Sequence, residues 1–108
     1  MYPPVVFHRL AAREYRLARS WYRRRSPSTA ERFRVEVDRV VKRISEAPLQ
    51  GAIFRGAIRW MRTRRFPYLL FYEVVDSSVI RVYAVAHARR IGCGGSSRRG
   101  TRSCLLRP

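Results

Sequence analysis

Acidic residues are scarce in this chain. Asp and Glu together number 7 against 24 Lys and Arg, a formal net charge of +17 over 108 residues. That imbalance excludes an acidic solvating protein and favours a polyanionic or acidic partner, since so many like charges on a small body otherwise repel. Lysine is nearly missing as well: Lys42 is the sole example and every other basic residue is arginine. An arginine-biased composition is the alternative source of part of this charge. Cysteine occurs only at Cys93 and Cys104 and histidine only at His8 and His87, with no metal-ligand spacing, so no metal or other cofactor is expected and the thiols read as free. No apolar run approaches the roughly 20 residues of a membrane span, and the N-terminus lacks a signal-peptide pattern. The expectation is a soluble, cytoplasmic protein that makes no membrane contact. With 108 residues the chain is long enough for one modest core and too short for two.

What is present is a change of period. Pro3 and Pro4 precede Val5-Val6-Phe7, a short edge strand. From about Leu10 to Arg25 the period is helical, with Ala11, Tyr15, Ala18 and Tyr22 on one stripe and arginines over much of the rest. Pro27 punctuates the chain, and Ser28 with Glu31 reads as a capping box opening a second helix. Ala30, Phe33, Val37, Val40, Val41 and Ile44 then repeat at helical spacing until Pro48 and Gly51. Two such helices across so short a turn form an antiparallel hairpin.

Beyond residue 51 the pattern is extended. Ile58 to Arg65, Tyr68 to Val75 and Val79 to His87 read as strands, with one more segment at Ala52 to Arg55 and a turn at Asp76-Ser77-Ser78. The order predicts an α+β domain over residues 1–90: an N-terminal edge strand, a helical hairpin, and an antiparallel meander of three to four strands. Residues 91–108 are small, polar and basic, and are expected to form a disordered tail.

Strict alternation along Val79 to His87 puts Arg81, Tyr83 and His87 on one face of the sheet and Ile80, Val82, Ala84 and Ala86 on the other. Histidine can serve as acid or base, and arginine can stabilise a phosphate in its pentacovalent state. Arg81, Tyr83 and His87 are therefore the candidate catalytic set. Arg59, Arg62, Arg64, Tyr68, Tyr72, Arg89 and Arg90 are candidates for binding nucleic acid or another target, with the tyrosines able to stack on bases. Glu73 is a possible second proton-transfer group, although alternation sets it opposite Tyr72. The alternative for His87 is a hydrogen-bonded fold element. Trp21, Tyr22, Phe33 and Phe66 read as core and helix–sheet packing.

Ala12-x-Glu14, Ala18-x-x-Trp21-Tyr22, Ala30-Glu31-Arg32-Phe33, Ile44-x-x-x-Pro48, Arg65-Phe66-Pro67-Tyr68, Tyr72-Glu73-Val74 and Ala84-Val85-Ala86-His87-x-x-Arg90 occur in this order. Together they resemble the RelE/ParE superfamily of type II toxin–antitoxin systems, also called plasmid stabilisation proteins. The resemblance covers about residues 5 to 90. It implies a toxin that arrests growth and is neutralised by a cognate antitoxin whose acidic and apolar segment wraps it. RelE-like members, similar in fold to small microbial ribonucleases, cut messenger RNA on the ribosome without metal. ParE-like members poison DNA gyrase and are not nucleases. The shared face of Arg81, Tyr83 and His87 leans towards RNA cleavage, whereas Ile91-Gly92-Cys93-Gly94 stands where many relatives carry a proline and an aromatic pair. A basic nucleic-acid-binding module without catalysis is the third reading.

Overall fold

The computed structural model describes residues 2–89. Arg90 and the 91–108 segment, with both cysteines, lie outside them. Strand β1, Val5–Phe7, leads into helix α1, Arg9–Arg25, and helix α2, Pro27–Glu46; a short 3-10 turn, Pro48–Gln50, precedes β2 (Ala52–Arg55), β3 (Ile58–Arg62), β4 (Tyr68–Asp76) and β5 (Val79–His87). The sheet runs β1-β5-β4-β3-β2, antiparallel except that β1 lies parallel to β5. This is the expected α+β architecture, with β1 at an edge and the Ala52 segment forming a true fifth strand. No described helix is long and apolar enough to cross a membrane.

The two helices meet at one residue. Ser26 ends α1, its amide donating to Tyr22 O at 2.8 Å, and starts α2, its hydroxyl accepting from the Thr29 amide at 3.4 Å. Pro27 occupies the first helical position, where its fixed φ and missing N–H cost nothing. The Ser28 capping box is thus corrected to a Ser26 cap. Glu31 instead pairs with Arg34 one turn on.

The helices cover one face of the sheet. Ala11, Ala18, Phe33, Val37, Val40 and Ile44 meet Leu70, Tyr72, Ile80, Val82 and Val85 in the main core. Tyr72 is fully buried, its hydroxyl donating to Pro48 O at 2.7 Å and accepting from the Gly51 amide at 3.1 Å. Burial raises its pKa. A Cβ at Gly51 would collide with that hydroxyl, so glycine is required there by close approach.

Strand β3 stops at Arg62, shorter than the sequence suggested. Thr63, buried, turns its hydroxyl onto Phe66 O at 2.7 Å, and the Arg64 amide donates to Glu36 Oε2 at 2.5 Å. Arg65 takes a left-handed φ of 69°. Arg64 and Arg65 therefore belong to a pinned loop and not to a strand.

Candidate functional site: a sheet split by a bulge

Register decides which side chains share a face. Residues Leu69, Leu70 and Phe71 oppose Ala86, Val85 and Ala84 in turn, but the next residue, Tyr72, opposes Val82. Tyr83 is thus one extra residue in β5, a β-bulge, and the alternation slips there by one. Before the bulge Ile80 and Val82 face the helices; after it Val85 does. Ala84 and Ala86 turn outward, against Leu69 and Phe71. His87 opposite Tyr68 turns back towards the helices, its ring 5.1 Å from that of Tyr68. The expected single face of Arg81, Tyr83 and His87 is overturned for this reason.

Arg81 and Tyr83 stay on the outer face. The Tyr83 hydroxyl donates to Glu73 Oε1 at 2.8 Å, which raises the tyrosine pKa, and Glu73 lies opposite Arg81. The His8 ring comes to 6.3 Å from that of Tyr83. His8 itself caps α1, its Nδ1 accepting from the Leu10 amide at 3.1 Å. A proton-bearing phenol, a carboxylate, a guanidinium and an imidazole thus gather by the junction of β1, β5 and β4. Among the described residues, no three His, Cys, Asp or Glu side chains could hold a metal.

His87 lines a different place. Between α1 and the end of the sheet runs a groove of about 1070 Å³, bounded by Leu17, Trp21, Tyr22, Tyr68, Val85 and His87. Trp21 and Leu17 are 45% and 59% exposed, which corrects the reading of Trp21 as core. The Arg25 guanidinium stacks 4.1 Å over the Trp21 ring, and Arg24 and Arg89 stand on the groove walls. His87 Nδ1 accepts from the Arg89 amide at 2.9 Å.

With this geometry established, residues 5–92 match the family model described as the ParE toxin of the type II toxin–antitoxin system, parDE. The chain belongs to the ParE toxin family. A solved structure, the chromosomal ParDE toxin–antitoxin system from P. aeruginosa, matches with a TM-score of 0.68 at 18% identity, covering 80% of this chain and 96% of that one. That likeness is one of fold. No curated protein sequence gives a significant match.

Other expected site residues divide within this ParE domain. Tyr72 is buried and bonded to backbone, so it supports the fold and meets no target. Arg59 is tied to Leu49 O at 3.2 Å and Gly51 O at 2.9 Å, bracing the 3-10 turn. Tyr68 packs edge-on against the helix-side aromatics Tyr22 and His87. Arg62, Arg64 and Arg89 are exposed and Arg90 lies outside the described residues. The sequence reading missed His8, Leu17 and the outer aromatics Phe54 and Trp60, whose cluster buries Phe71 to 3% exposure. The spacing of Leu10, Leu17 and Trp21 around Glu14 was the available signal for an apolar stripe on α1.

Proposed function

We propose that this chain is a growth-arresting toxin of the ParE type, acting in the cytoplasm by binding and poisoning DNA gyrase and not by cutting RNA. What supports this reading above all is the Tyr83 bulge, which sends His87 to the helix side while Arg81 and Tyr83 remain outside. A phosphate held by Arg81 has no general acid or base in His87, since proton transfer needs hydrogen-bond reach. Membership of the ParE family supports the same reading. Expression of His87→Gln should leave toxicity intact, with DNA double-strand breaks accumulating while translation continues. Early loss of translation with intact DNA overturns it.

A second reading rests on the outer cluster. Tyr83, Glu73, Arg81 and His8 have the chemistry of a metal-independent endoribonuclease, and the same face would also serve a non-catalytic nucleic-acid-binding module. Arg81→Ala and Glu73→Gln should then each reduce cleavage of messenger RNA about a hundredfold in a ribosome assay. Unchanged toxicity in both variants excludes this site.

A further inference from the structure

Strand β5 is only half covered. On its outer edge β1 pairs with Ile80–Val82 alone; the His8 amide then donates to Val82 O at 2.8 Å and the chain leaves the sheet as α1. Among the described residues no strand continues along Tyr83–His87 on that side. The Val85 amide points to this edge, where it donates to Glu14 Oε1 of α1 at 2.8 Å. Alternation places the His87 amide on the same edge. An inward-reaching carboxylate on a strand edge is a known way to block unwanted pairing.

We propose that Val85–His87 is a strand-addition site for an extended acidic and apolar segment of the cognate antitoxin, an inference that rests on the toxin reading above. A peptide backbone lying along this edge takes the Val85 amide from Glu14 and exchanges one hydrogen bond for another. Its side chains then alternate between two apolar floors. One set enters the groove of Leu17, Trp21 and Tyr22; the other lies over Ala84 and Ala86, whose small side chains leave room beside the Phe71 cluster. Carboxylates on the segment meet Arg24 and Arg89 on the walls, within a chain of net charge +17. Nucleic acid supplies no alternating amides and carbonyls to complete such an edge, and a second copy of this chain brings the same positive charge.

The test uses the full chain and the small acidic protein encoded beside its gene. Amide hydrogen exchange should slow at least tenfold at Val85 and His87 on complex formation, and Leu17→Glu with Trp21→Glu, both at exposed positions, should raise Kd at least tenfold without changing the circular dichroism of the free chain. Binding with protection confined to α2 or to the outer face of β3 and β4, or unchanged affinity in the double variant, overturns the proposal alone. Concentration-dependent protection of Val85 without the acidic protein makes the occupant a second copy and also overturns it. If the acidic protein does not bind at all, the toxin–antitoxin reading fails with it.

Discussion

The two faces of the sheet are built from alternate residues of the same strands yet differ in kind. The helix side holds Phe33, Tyr72, Leu70, Ile80 and Val82, all below 2% exposure, sealed by two helices. On the outer side Leu69 and Phe71 are buried only beneath partly exposed Phe54, Ile58 and Trp60 and a row of alanines. The bulge at Tyr83 lets one strand serve both: it rotates the second half of β5 so that Val85 seals the helix side while Ala84 and Ala86 floor the outer one. The large side chains that hold the fold are thus mostly inward, and the sites open to partners are the outer face and the rim where α1 fails to cover β5.

That contrast can be broken by truncation. Phe33→Ala should cost about 3–5 kcal/mol, because Phe33 stacks with Tyr15, Tyr22, Phe66 and Tyr68 and its cavity cannot collapse. Phe71→Ala, whose recorded ring partner is Phe54, should cost roughly half as much, since mobile neighbours can close over it. Urea unfolding of both variants checks the order. Equal losses make the outer cluster a second full core.

The bulge itself gives a sharper and somewhat smaller effect. Removing Tyr83 joins Val82 to Ala84, which already oppose the consecutive residues Tyr72 and Phe71. Every later side chain keeps its face. The deletion should therefore fold and cost about 1–3 kcal/mol, largely the Tyr83–Glu73 bond and some adjustment of β1. Deleting Val85 instead turns Ala86 to the helix side and His87 outward, and should abolish cooperative unfolding.

Much of this fold was legible because period and breakers report burial directly: Val37, Val40 and Ile44 lie in the core as their spacing required. The paired strands and the extra one at Ala52–Arg55 were legible for the same reason. The bulge was not. Tyr83 is neither glycine nor flanked by a turn residue, and strict alternation is the natural reading of Arg81-Val82-Tyr83-Ala84-Val85-Ala86-His87. A single unpaired residue emerges only from the register with β4, which is non-local, and it carried half of the candidate site with it. Ser28 was preferred to Ser26 as a cap because its partner Glu31 completes the motif, whereas the proline between them marks the real helix start.

A milder probe addresses the rim of the helix side. Burial pushes the Glu36 carboxyl up, but the Arg39 guanidinium and the Arg64 amide pull it further down, so its pKa lies below the ordinary glutamate value. A depressed carboxyl stabilises the fold above its unfolded pKa, about 4.3, and that contribution fades as pH falls through the lower folded value. Glu36→Gln should cost about 1 kcal/mol at pH 7, and the gap to the parent should close below about pH 4. A gap independent of pH shows that Glu36 acts by shape and not by charge.

The smallest expected effect tests whether the outer face is open. Residues 91–108 carry Leu105 and Leu106 but no apolar period, and the family match stops at residue 92. A segment with so little to bury cannot offset the entropy of ordering it, roughly 1–2 kcal/mol per residue. Truncation after residue 90 should therefore leave the thermal midpoint within about a degree of the full chain, because the loss of a non-contributing segment changes neither core nor ladder. A drop of several degrees means that the leucine pair docks on the domain. The apolar cluster of Trp60 and Phe71 is the surface able to receive it, and fluorescence of Trp60 in a Trp21→Phe background would then shift to the red on truncation. In that event the outer face is a covered layer, and the edge of β5 with the α1 groove is left as the surface through which this toxin meets its partners.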